Sequence, residues 1–478
     1  MSAHVRRVLV VGALAAFAAV LTVGTTSAAS ASVHRDYVNP VMAPAPAADS
    51  TAVGGNYLLR RCQVGQSTGE CYDPYQMRTA YGVDSLIANG QDGTGKTIVI
   101  LDAFDDPYLQ SDFSYFNNYY GLPDQTISQV YPGGQANTPY DAGWSEEMQL
   151  DVDWSHAIAP GAKIVIVHAV SNNDSDLVAA ANYAVDHKLG DVLSMSFGES
   201  DQCLGSALKS QWHNVFVNAT KKGITLLASS GDQGAAQPSC DGSSWIQSTS
   251  SPASDPLVTG VGGTELSAVD YSCLVTNSCA PNWVPGQYIS EIAWNEGPTG
   301  DYQSSFSTTE ASGGGYSTVW KEPSYQKTWL PHGTMRAVPD VAYNGAILHG
   351  VLVPLLEFGG FFRFGGTSCG APQWAGLVAI ADQAAGHDYG FINTALYSLG
   401  VDNGLYGSTF HDITSGTNNA IELDSSNNQV TIPGYSAGLG WDAVTGLGSP
   451  QAGGLLNSLP QKWTSGQGAQ AIAISANG

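Results

Sequence analysis

The stretch Phe364-Gly365-Gly366-Thr367-Ser368-Cys369-Gly370-Ala371-Pro372 decides how the rest of the chain is interpreted. A β-like run ends in two glycines, Ser368 follows at a turn, and an apolar helix is predicted from Pro372 to Ala385. Proline is tolerated in a first helical turn, because the amide hydrogen that it lacks would have no partner there. A serine at the N-terminus of a buried helix lies near free amides and the positive end of the helix dipole, which suits a nucleophile. The alternative is a simple turn in which Ser368 only caps the helix.

The composition limits the possible partners of this chain. Of its 478 residues, 43% are hydrophobic, which is enough to form a large core. The chain has 17 Lys and Arg against 41 Asp and Glu, a formal net charge of −24, and its sequence pI of about 4.4 fits a protein that works in acid. Such a surface repels nucleic acid and anionic lipid, so we expect neither as a partner.

The N-terminus has the pattern of a secretory signal. Two arginines precede an apolar run from Val8 to Val23, and small residues then lead to Ala31. This run is too short to be a stable membrane span. We therefore predict a signal peptide over residues 1–31 and a secreted, extracellular protein with no membrane partner. Residues 32–71 include a stretch rich in Ala, Pro, Gly and Ser, and they are predicted to be a linker or short pro-segment.

Seven cysteines fit an exported protein. Three local disulfides are predicted, although spacing alone does not define connectivity, and they join Cys62 to Cys71, Cys203 to Cys240, and Cys273 to Cys279. Cys369 is left over. Because no histidine stands in an obvious position for a Cys/His pair, we interpret Cys369 as a small buried hydrophobic residue.

Apolar strands alternate with helices along the chain. Strands are predicted at 97–101, 163–167, 191–197, 224–228 and 256–263, and helices at 145–156, 174–188 and 205–222. An earlier helix is predicted to be capped by Asp73-Pro74 and to run through Leu86, and residues 265–310 are predicted to be rich in loops. Uninterrupted apolar strands separated by helices indicate an α/β fold, with a mostly parallel central sheet and helices on both faces. In such sheets, functional residues collect at the carboxyl ends of the strands.

Two acids on one predicted helix could serve Ser368 as a base. Glu147 and Asp151 are four residues apart, so they share a helix face and are close enough to share a proton. Two carboxyls at that distance do not ionise together easily, and the pKa of one of them rises. The alternative is an acidic helix face in solvent, but the helix continues into the apolar stretch 154–160. Glu146 is a neighbouring candidate, and the four-residue spacing to Asp151 selects Glu147.

A third acid and the histidines bear on the same question. Asp232 lies between glycines just after a predicted buried strand, and the alternative to a functional role is an Asx-turn. The chain has ten histidines, and none has the sequence context of a serine–histidine enzyme. The nearest match, His349-Gly350, comes too late in the chain. Carboxylates are therefore the better candidates for the base.

Four motifs in this order resemble the sedolisin family of serine-carboxyl peptidases, whose fold is similar to that of subtilisin. They are Glu-x-x-x-Asp (Glu147, Asp151), Ser-Gly-Asp-x-Gly (Asp232), Gly-Thr-Ser-x-x-x-Pro (Ser368), and Asp412-Ile413 followed by Gly438-Leu439-Gly440-Trp441-Asp442. The segments 261–264, 312–317 and 336–340 are also similar to the family. The resemblance covers about residues 72–455, and it predicts a peptidase domain over 72–460 followed by a tail, 461–478.

The resemblance implies a role for each motif. Ser368 would be the nucleophile, Glu147 the base, and Asp151 the group that orients Glu147 and shares its proton. Asp232 would donate a hydrogen bond to the oxyanion, which requires that it be protonated. We therefore expect a secreted, acid-active, monomeric endopeptidase that cleaves protein or peptide substrates through an acyl-enzyme.

The resemblance also implies one structural calcium ion. Its ligands would be the carboxylates of Asp412 and Asp442 and the backbone carbonyls of Ile413, Gly438 and Gly440. All of these are hard oxygen donors, which calcium prefers, and the glycines allow backbone oxygens to converge.

The chain departs from the family in two places, and two other functions stay open. The family usually has a long folded pro-domain, whereas only residues 32–71 separate the predicted signal from the peptidase region, and Cys369 replaces a small residue beside Ser368. A glycosidase with two catalytic carboxylates is one alternative, but it leaves the Gly-Thr-Ser turn unexplained. A non-catalytic secreted binding protein on the same scaffold is the other. It predicts the loss of one of the four key residues, and all four are present.

Overall fold

The computed structural model describes residues 42–43, 51–53, 57–59, 62, 70–298, 308–330 and 335–475. The predicted signal peptide, 1–31, lies outside the described residues. Within the predicted linker, Met42–Ala43 forms an antiparallel pair with Arg363–Phe364, and Cys62 is bonded to Cys71.

The centre of the fold is an eight-stranded sheet. Its strands in chain order are β1 (Thr97–Ala103), β2 (Ser128–Val130), β3 (Lys163–Ala169), β4 (Val192–Met195), β5 (Thr225–Ser229), β6 (Thr259–Ala268), β7 (Tyr288–Ala293) and β8 (Val341–Asn344). Their spatial order is β7–β6–β5–β4–β1–β3–β2, with β8 also paired to β6. All pairs are parallel except β6 with β7. The predicted mostly parallel sheet is confirmed.

Helices cover both faces of this sheet. The helices of the described residues are α1 (Pro74–Tyr81), α2 (Asp84–Ala88), α3 (Leu109–Tyr120), α4 (Ala142–Ile158), α5 (Asp174–Asp186), α6 (Ser206–Lys221), α7 (Ser272–Thr276), α8 (Gly370–Ala385), α9 (Asn393–Gly400), α10 (Tyr406–Thr409), α11 (Ala452–Lys462) and α12 (Gln467–Ser475). Helix α4 packs against α8 on one side, and α5 packs against α6 on the other. This arrangement buries both faces of the sheet, which explains why its strands are apolar throughout.

Smaller sheets surround the central one. A four-stranded sheet has the order Met42–Ala43, Gly360–Phe364, His349–Leu355, Glu70–Tyr72. Two-stranded pairs join Thr51–Val53 to Tyr57–Leu59, Glu199–Ser200 to Ser250–Ser251, Ala236–Pro238 to Trp245–Gln247, Asn295–Glu296 to Glu310–Ala311, Gly315–Lys321 to Met335–Val338, Phe410–His411 to Ser449–Pro450, and Ala420–Leu423 to Gln429–Ile432.

The predicted helix from Asp73 through Leu86 is two helices. The cap is confirmed, because the Asp73 carboxylate accepts a hydrogen bond from the Gln76 amide. Helix α1 nevertheless ends at Tyr81, since Gly82 adopts a left-handed conformation with φ of 76°. Glycine enters that conformation without the steric cost that other residues have, so it ends the helix and the chain turns into α2.

The prediction that residues 265–310 consist mainly of loops is wrong in part. Strand β6 continues to Ala268 and forms an antiparallel pair with β7. The end of β6 buries Leu266 and Ala268 while Ser267 is exposed, a two-residue alternation typical of a strand. This alternation is too short to stand out among the polar residues that follow it.

Helix α8 is the buried helix that the sequence predicts after Ser368. It begins two residues earlier than predicted, at Gly370, and residues 370–382 are all buried. A helix that is apolar on all sides is found in the interior of a protein. Ser368 lies in a 3₁₀ turn, Thr367–Cys369, and makes no capping hydrogen bond, so the interpretation of Ser368 as the helix cap is wrong.

All three predicted disulfides are present, and Cys369 is buried without a disulfide partner. Three disulfides indicate an oxidising compartment. Among the helices of the described residues, none combines the length and the apolar composition needed to cross a membrane.

Candidate active site

Four separate elements bring a serine and four acids together. Asp102 lies in β1, Glu147 and Asp151 lie on α4, Asp232 follows β5, and Ser368 precedes α8. The carboxyl ends of β1 and β5 lie on the same side of the parallel sheet. The packing of α4 against α8 brings Glu147 close to Ser368. None of these five side chains is more than 2% exposed.

Glu147 is the acid beside Ser368. Burial raises the pKa of Glu147 well above its ordinary value, and the charges of Asp151 and Asp102 raise it further. The Ser368 hydroxyl opposes this shift, because it is close enough to stabilise the carboxylate. In the described structure, neither Ser368 Oγ nor the Glu147 oxygens form a hydrogen bond of regular geometry. No histidine ring is therefore bonded to the serine.

Asp151 and Asp102 form the inner part of this acid cluster. Ser196 donates a hydrogen bond of 3.0 Å to Asp151 Oδ1. Burial raises the pKa of Asp151 well above its ordinary value, with a further increase from Asp102. Burial alone raises the pKa of Asp102 to about 8, and neither of its oxygens has a partner in the described structure. Burial with few donors favours the protonated form of each of these acids, and because they interact they share their protons as a group.

Asp232 differs from Glu147, Asp151 and Asp102 in its hydrogen bonds. Its Oδ1 accepts from the Thr367 amide at 2.7 Å and from the Thr367 hydroxyl at 2.8 Å. Its Oδ2 is buried and has no partner in the described structure. Burial raises the pKa of Asp232 to about 6, and the two bonds from Thr367 oppose that shift.

Glu146 stands apart from the serine. It is half-buried, and burial raises its pKa to about 7 with contributions from Asp141 and Glu357. The structure therefore brings Glu147 rather than Glu146 to Ser368, in agreement with the register chosen from the spacing to Asp151.

Two other candidates for the chemistry are excluded by their surroundings. His349 Nδ1 is 2.9 Å from Glu265 Oε1, and Ser368 Oγ has no hydrogen-bond partner in the described structure. Burial raises the pKa of Cys369 well above its ordinary value, and the nearby acids raise it further. A thiol in such a site stays protonated and is a poor nucleophile.

Sequence analysis missed three residues of this site. Asp102 ends an apolar run, and an acid at the carboxyl end of a buried parallel strand is itself a signal of a functional residue. Thr367 belongs to the motif that marks Ser368, but its partner is distant in sequence. Ser196 gives no signal, because its contact with Asp151 depends on the packing of α4 beside the sheet.

The predicted calcium segment has donors suited to a hard cation. The Gly440 amide donates to Asp412, and the Gly438 amide donates to Asp442, so both carboxylates are held in the same loop region. None of the described hydrogen bonds uses the carbonyl oxygen of Ile413, Gly438 or Gly440. Neither carboxylate has a Lys or Arg ion pair within the described chain. The residues present therefore fit calcium.

The calcium set cannot be recognised from its side chains alone. The described residues contain no group of three or more His, Cys, Asp or Glu side chains arranged to hold a metal ion. The predicted set has two carboxylates and depends on three backbone oxygens for the rest of its ligands.

Comparisons with known proteins agree with the fold. A family model described as "Subtilase family" matches residues 136–394, a range that contains Glu147, Asp151, Asp232 and Ser368. The solved structure of Pseudomonas sedolisin, a serine-carboxyl proteinase complexed with two molecules of pseudo-iodotyrostatin, has a TM-score of 0.69 and 26% sequence identity. It covers 83% of this chain and 99% of its own. The class is therefore a serine-type peptidase with a subtilisin-like α/β fold.

Two curated relatives narrow this class. Kumamolisin of Bacillus sp. (strain MN-32) is 31% identical over 89% of this chain and 73% of its own length. Sedolisin of Pseudomonas sp. (strain 101) is 28% identical over 80% of this chain and 60% of its own length. The chain belongs to the sedolisin family of serine-carboxyl peptidases.

Proposed function

We propose that this protein is a secreted, acid-active endopeptidase in which buried carboxyls carry out the proton transfers. The observation that carries the proposal is that Glu147 lies beside Ser368 and that no histidine is bonded to this serine. Asp151 and Asp102 lie close enough to Glu147 for their charges to affect its pKa. Protein or peptide substrates are expected from the family. The predicted signal peptide and the three disulfides support secretion.

Glu147 acts as the base for Ser368. The Ser368 hydroxyl is close enough to stabilise a Glu147 carboxylate, and this supports Glu147 as the member of the acid group that carries the negative charge while Asp151 and Asp102 hold protons. The hydroxyl proton of Ser368 passes to Glu147 while Oγ forms a bond to the carbonyl carbon of the scissile peptide. Glu147 then gives this proton to the leaving amine, the C–N bond breaks, and an acyl-enzyme remains.

Asp232 stabilises the negative charge that develops on the carbonyl oxygen. Its protonated carboxyl donates a hydrogen bond to that oxygen in the tetrahedral intermediate. Water then attacks the acyl-enzyme with Glu147 again as base, and Ser368 leaves with its proton restored. An ionised Asp232 repels the oxyanion, so activity falls as the pH rises through about 6, the pKa to which burial raises this carboxyl.

Calcium binding by Asp412, Ile413, Gly438, Gly440 and Asp442 has a structural role in this proposal. The ion, when bound, supplies positive charge that neutralises two carboxylates and ties their two segments together. Close to this segment, the Val444 carbonyl accepts a hydrogen bond from Ser312 Oγ at 2.6 Å, and the neighbouring Ala311 amide donates to the backbone carbonyl of Asp232. No step of the reaction uses the ion.

Replacement of the nucleophile tests the proposal. Ser368→Ala should lower the rate of hydrolysis of denatured casein at about pH 4 by at least about 10⁴-fold, because no other group can form the acyl-enzyme. Ser458→Ala, at a buried position on α11, is the matched control and should keep the wild-type rate. A Ser368→Ala protein that hydrolyses casein at the wild-type rate would refute the proposal.

A further inference from the structure

Thr367 joins the nucleophile turn to the oxyanion acid. It immediately precedes Ser368, is almost fully buried, and directs two donors at one oxygen of Asp232. Its hydroxyl oxygen in turn accepts a hydrogen bond from the Gly231 amide at 3.1 Å. The three groups form a chain of bonds that ends at Asp232 Oδ1.

The direction of the Thr367 hydroxyl bond follows from its distances. The hydroxyl has a single hydrogen and two possible acceptors, Asp232 Oδ1 at 2.8 Å and the Gly231 carbonyl at 3.3 Å. The shorter contact lies at the usual O–H···O length, and the longer one exceeds it. The hydroxyl therefore donates to Asp232.

These bonds make the two oxygens of Asp232 inequivalent. Oδ1 already accepts two hydrogen bonds, whereas Oδ2 is buried and has none in the described structure. A neutral carboxyl carries one proton, and an oxygen that faces two donors has no room for it. The proton is thus placed on Oδ2.

Gly366 keeps the space beside Oδ2 open. Its φ is 102°, and a Cβ built at this glycine would lie 2.6 Å from Asp232 Oδ2. Any side chain here would therefore collide with the oxygen that carries the proton. The absence of a side chain at position 366 thus leaves space beside Asp232 Oδ2.

We propose that Thr367 is a positioning residue that fixes the acidic proton of Asp232 on Oδ2, the oxygen left to donate to the oxyanion. This inference rests on the proposed function, since it assigns Asp232 the oxyanion role. In this role Thr367 acts through Asp232, to which both of its donors are bonded. It acts through the orientation of the neighbouring carboxyl and the site of its proton.

Loss of the Thr367 hydroxyl has two opposing effects. Without one donor to Oδ1, the proton is divided between the two oxygens, and kcat falls. The hydroxyl bond also lowers the pKa of Asp232, so its loss raises that pKa and keeps the acid protonated to higher pH. The other titratable groups that face Asp232 are Glu147, Glu310 and Cys369, and the substitution leaves all three in place.

The test compares substitutions at Thr367 in the full-length protein. Thr367→Val and Thr367→Ala remove the hydroxyl, and Thr367→Ser keeps it. For the first two, we expect kcat to fall about 10-fold or more with KM nearly unchanged, and the alkaline limb of the pH–rate profile to move up by about half a pH unit or more. Thr367→Ser should restore both values. Either hydroxyl-free variant that folds is sufficient for the test.

Two controls separate this inference from its alternatives. Thr225→Val removes an equally buried hydroxyl at the other end of β5, where it bonds to the Gly390 carbonyl, and should leave the alkaline limb in place. An unmoved or lowered limb in both Thr367→Val and Thr367→Ala would overturn the inference. Ser368→Ala is assayed in parallel. If it is inactive, an unmoved limb in the Thr367 variants overturns only the role of Thr367. If Ser368→Ala is active, the proposed function fails as well.

Discussion

Two sets of buried acids in this protein differ in what surrounds them. Asp340 is fully buried and receives bonds of 2.8 and 2.6 Å from the Arg336 guanidinium, which is itself fully buried. It also accepts from the Gly260 amide and the Tyr397 hydroxyl. This carboxylate has a cation and a complete set of donors, as buried charges in a stable core require.

The acids beside Ser368 lack both of these features. No Lys or Arg contributes to the pKa shift of Asp102, Glu147 or Asp151, and several of their oxygens have no partner in the described structure. An incompletely solvated carboxyl costs stability, and it retains a proton that it can exchange. Under the proposed function, the acids near Ser368 serve the chemistry, whereas Asp340 stabilises the fold.

Neutralisation of Glu147 tests the catalytic side of this comparison and should have the largest effect. Glu147→Gln should lower kcat by about 10⁴-fold, because an amide does not accept the serine proton. Its thermal midpoint should be equal to or above that of the wild type, since a desolvated acid has been removed. Glu146→Gln is the matched control, with a nearly unchanged kcat. A large loss of stability in Glu147→Gln would contradict the distinction between the two sets.

Loss of the cation tests the structural side. Arg336→Met leaves Asp340 buried without a counter-charge and should reduce the free energy of unfolding by about 3–5 kcal/mol. The folded fraction should keep a nearly normal kcat. Denaturant titration gives the stability, and the double variant Arg336→Met/Asp340→Asn should recover part of it. If Arg336→Met lost kcat but kept its stability, the comparison would be reversed.

Removal of calcium should have a smaller effect. If the ion is held by Asp412 and Asp442, a chelator should lower the thermal midpoint, and calcium at about 100 times its dissociation constant contributes about 2.7 kcal/mol. Asp442→Asn should abolish this response to calcium, while Asp186→Asn, at an exposed site, should retain it. A chelator that leaves the wild-type midpoint unchanged would argue against the site.

Local pattern predicted most of the fold, and together with the family resemblance it selected the serine and the acids that the structure brings together. The spacing of Glu147 and Asp151 on a helix and the position of Ser368 before an apolar helix are local features, and they are present in the structure. The break at Gly82 was missed because the helix resumes at once as α2. Asp102 has a local signal in its place at the carboxyl end of an apolar strand, but its proximity to Glu147 and Asp151 depends on how α4 packs over the end of β1.

The pH dependence of the Asp232→Asn variant tests the central claim most directly. An asparagine amide donates a hydrogen bond at every pH, whereas Asp232 donates only when protonated, and its pKa is raised to about 6. The wild-type rate should therefore fall as the pH rises through about 6. The Asp232→Asn rate, lower in absolute terms, should keep its relative value to at least about one pH unit higher. Alkaline limbs at the same pH in both proteins would contradict the account.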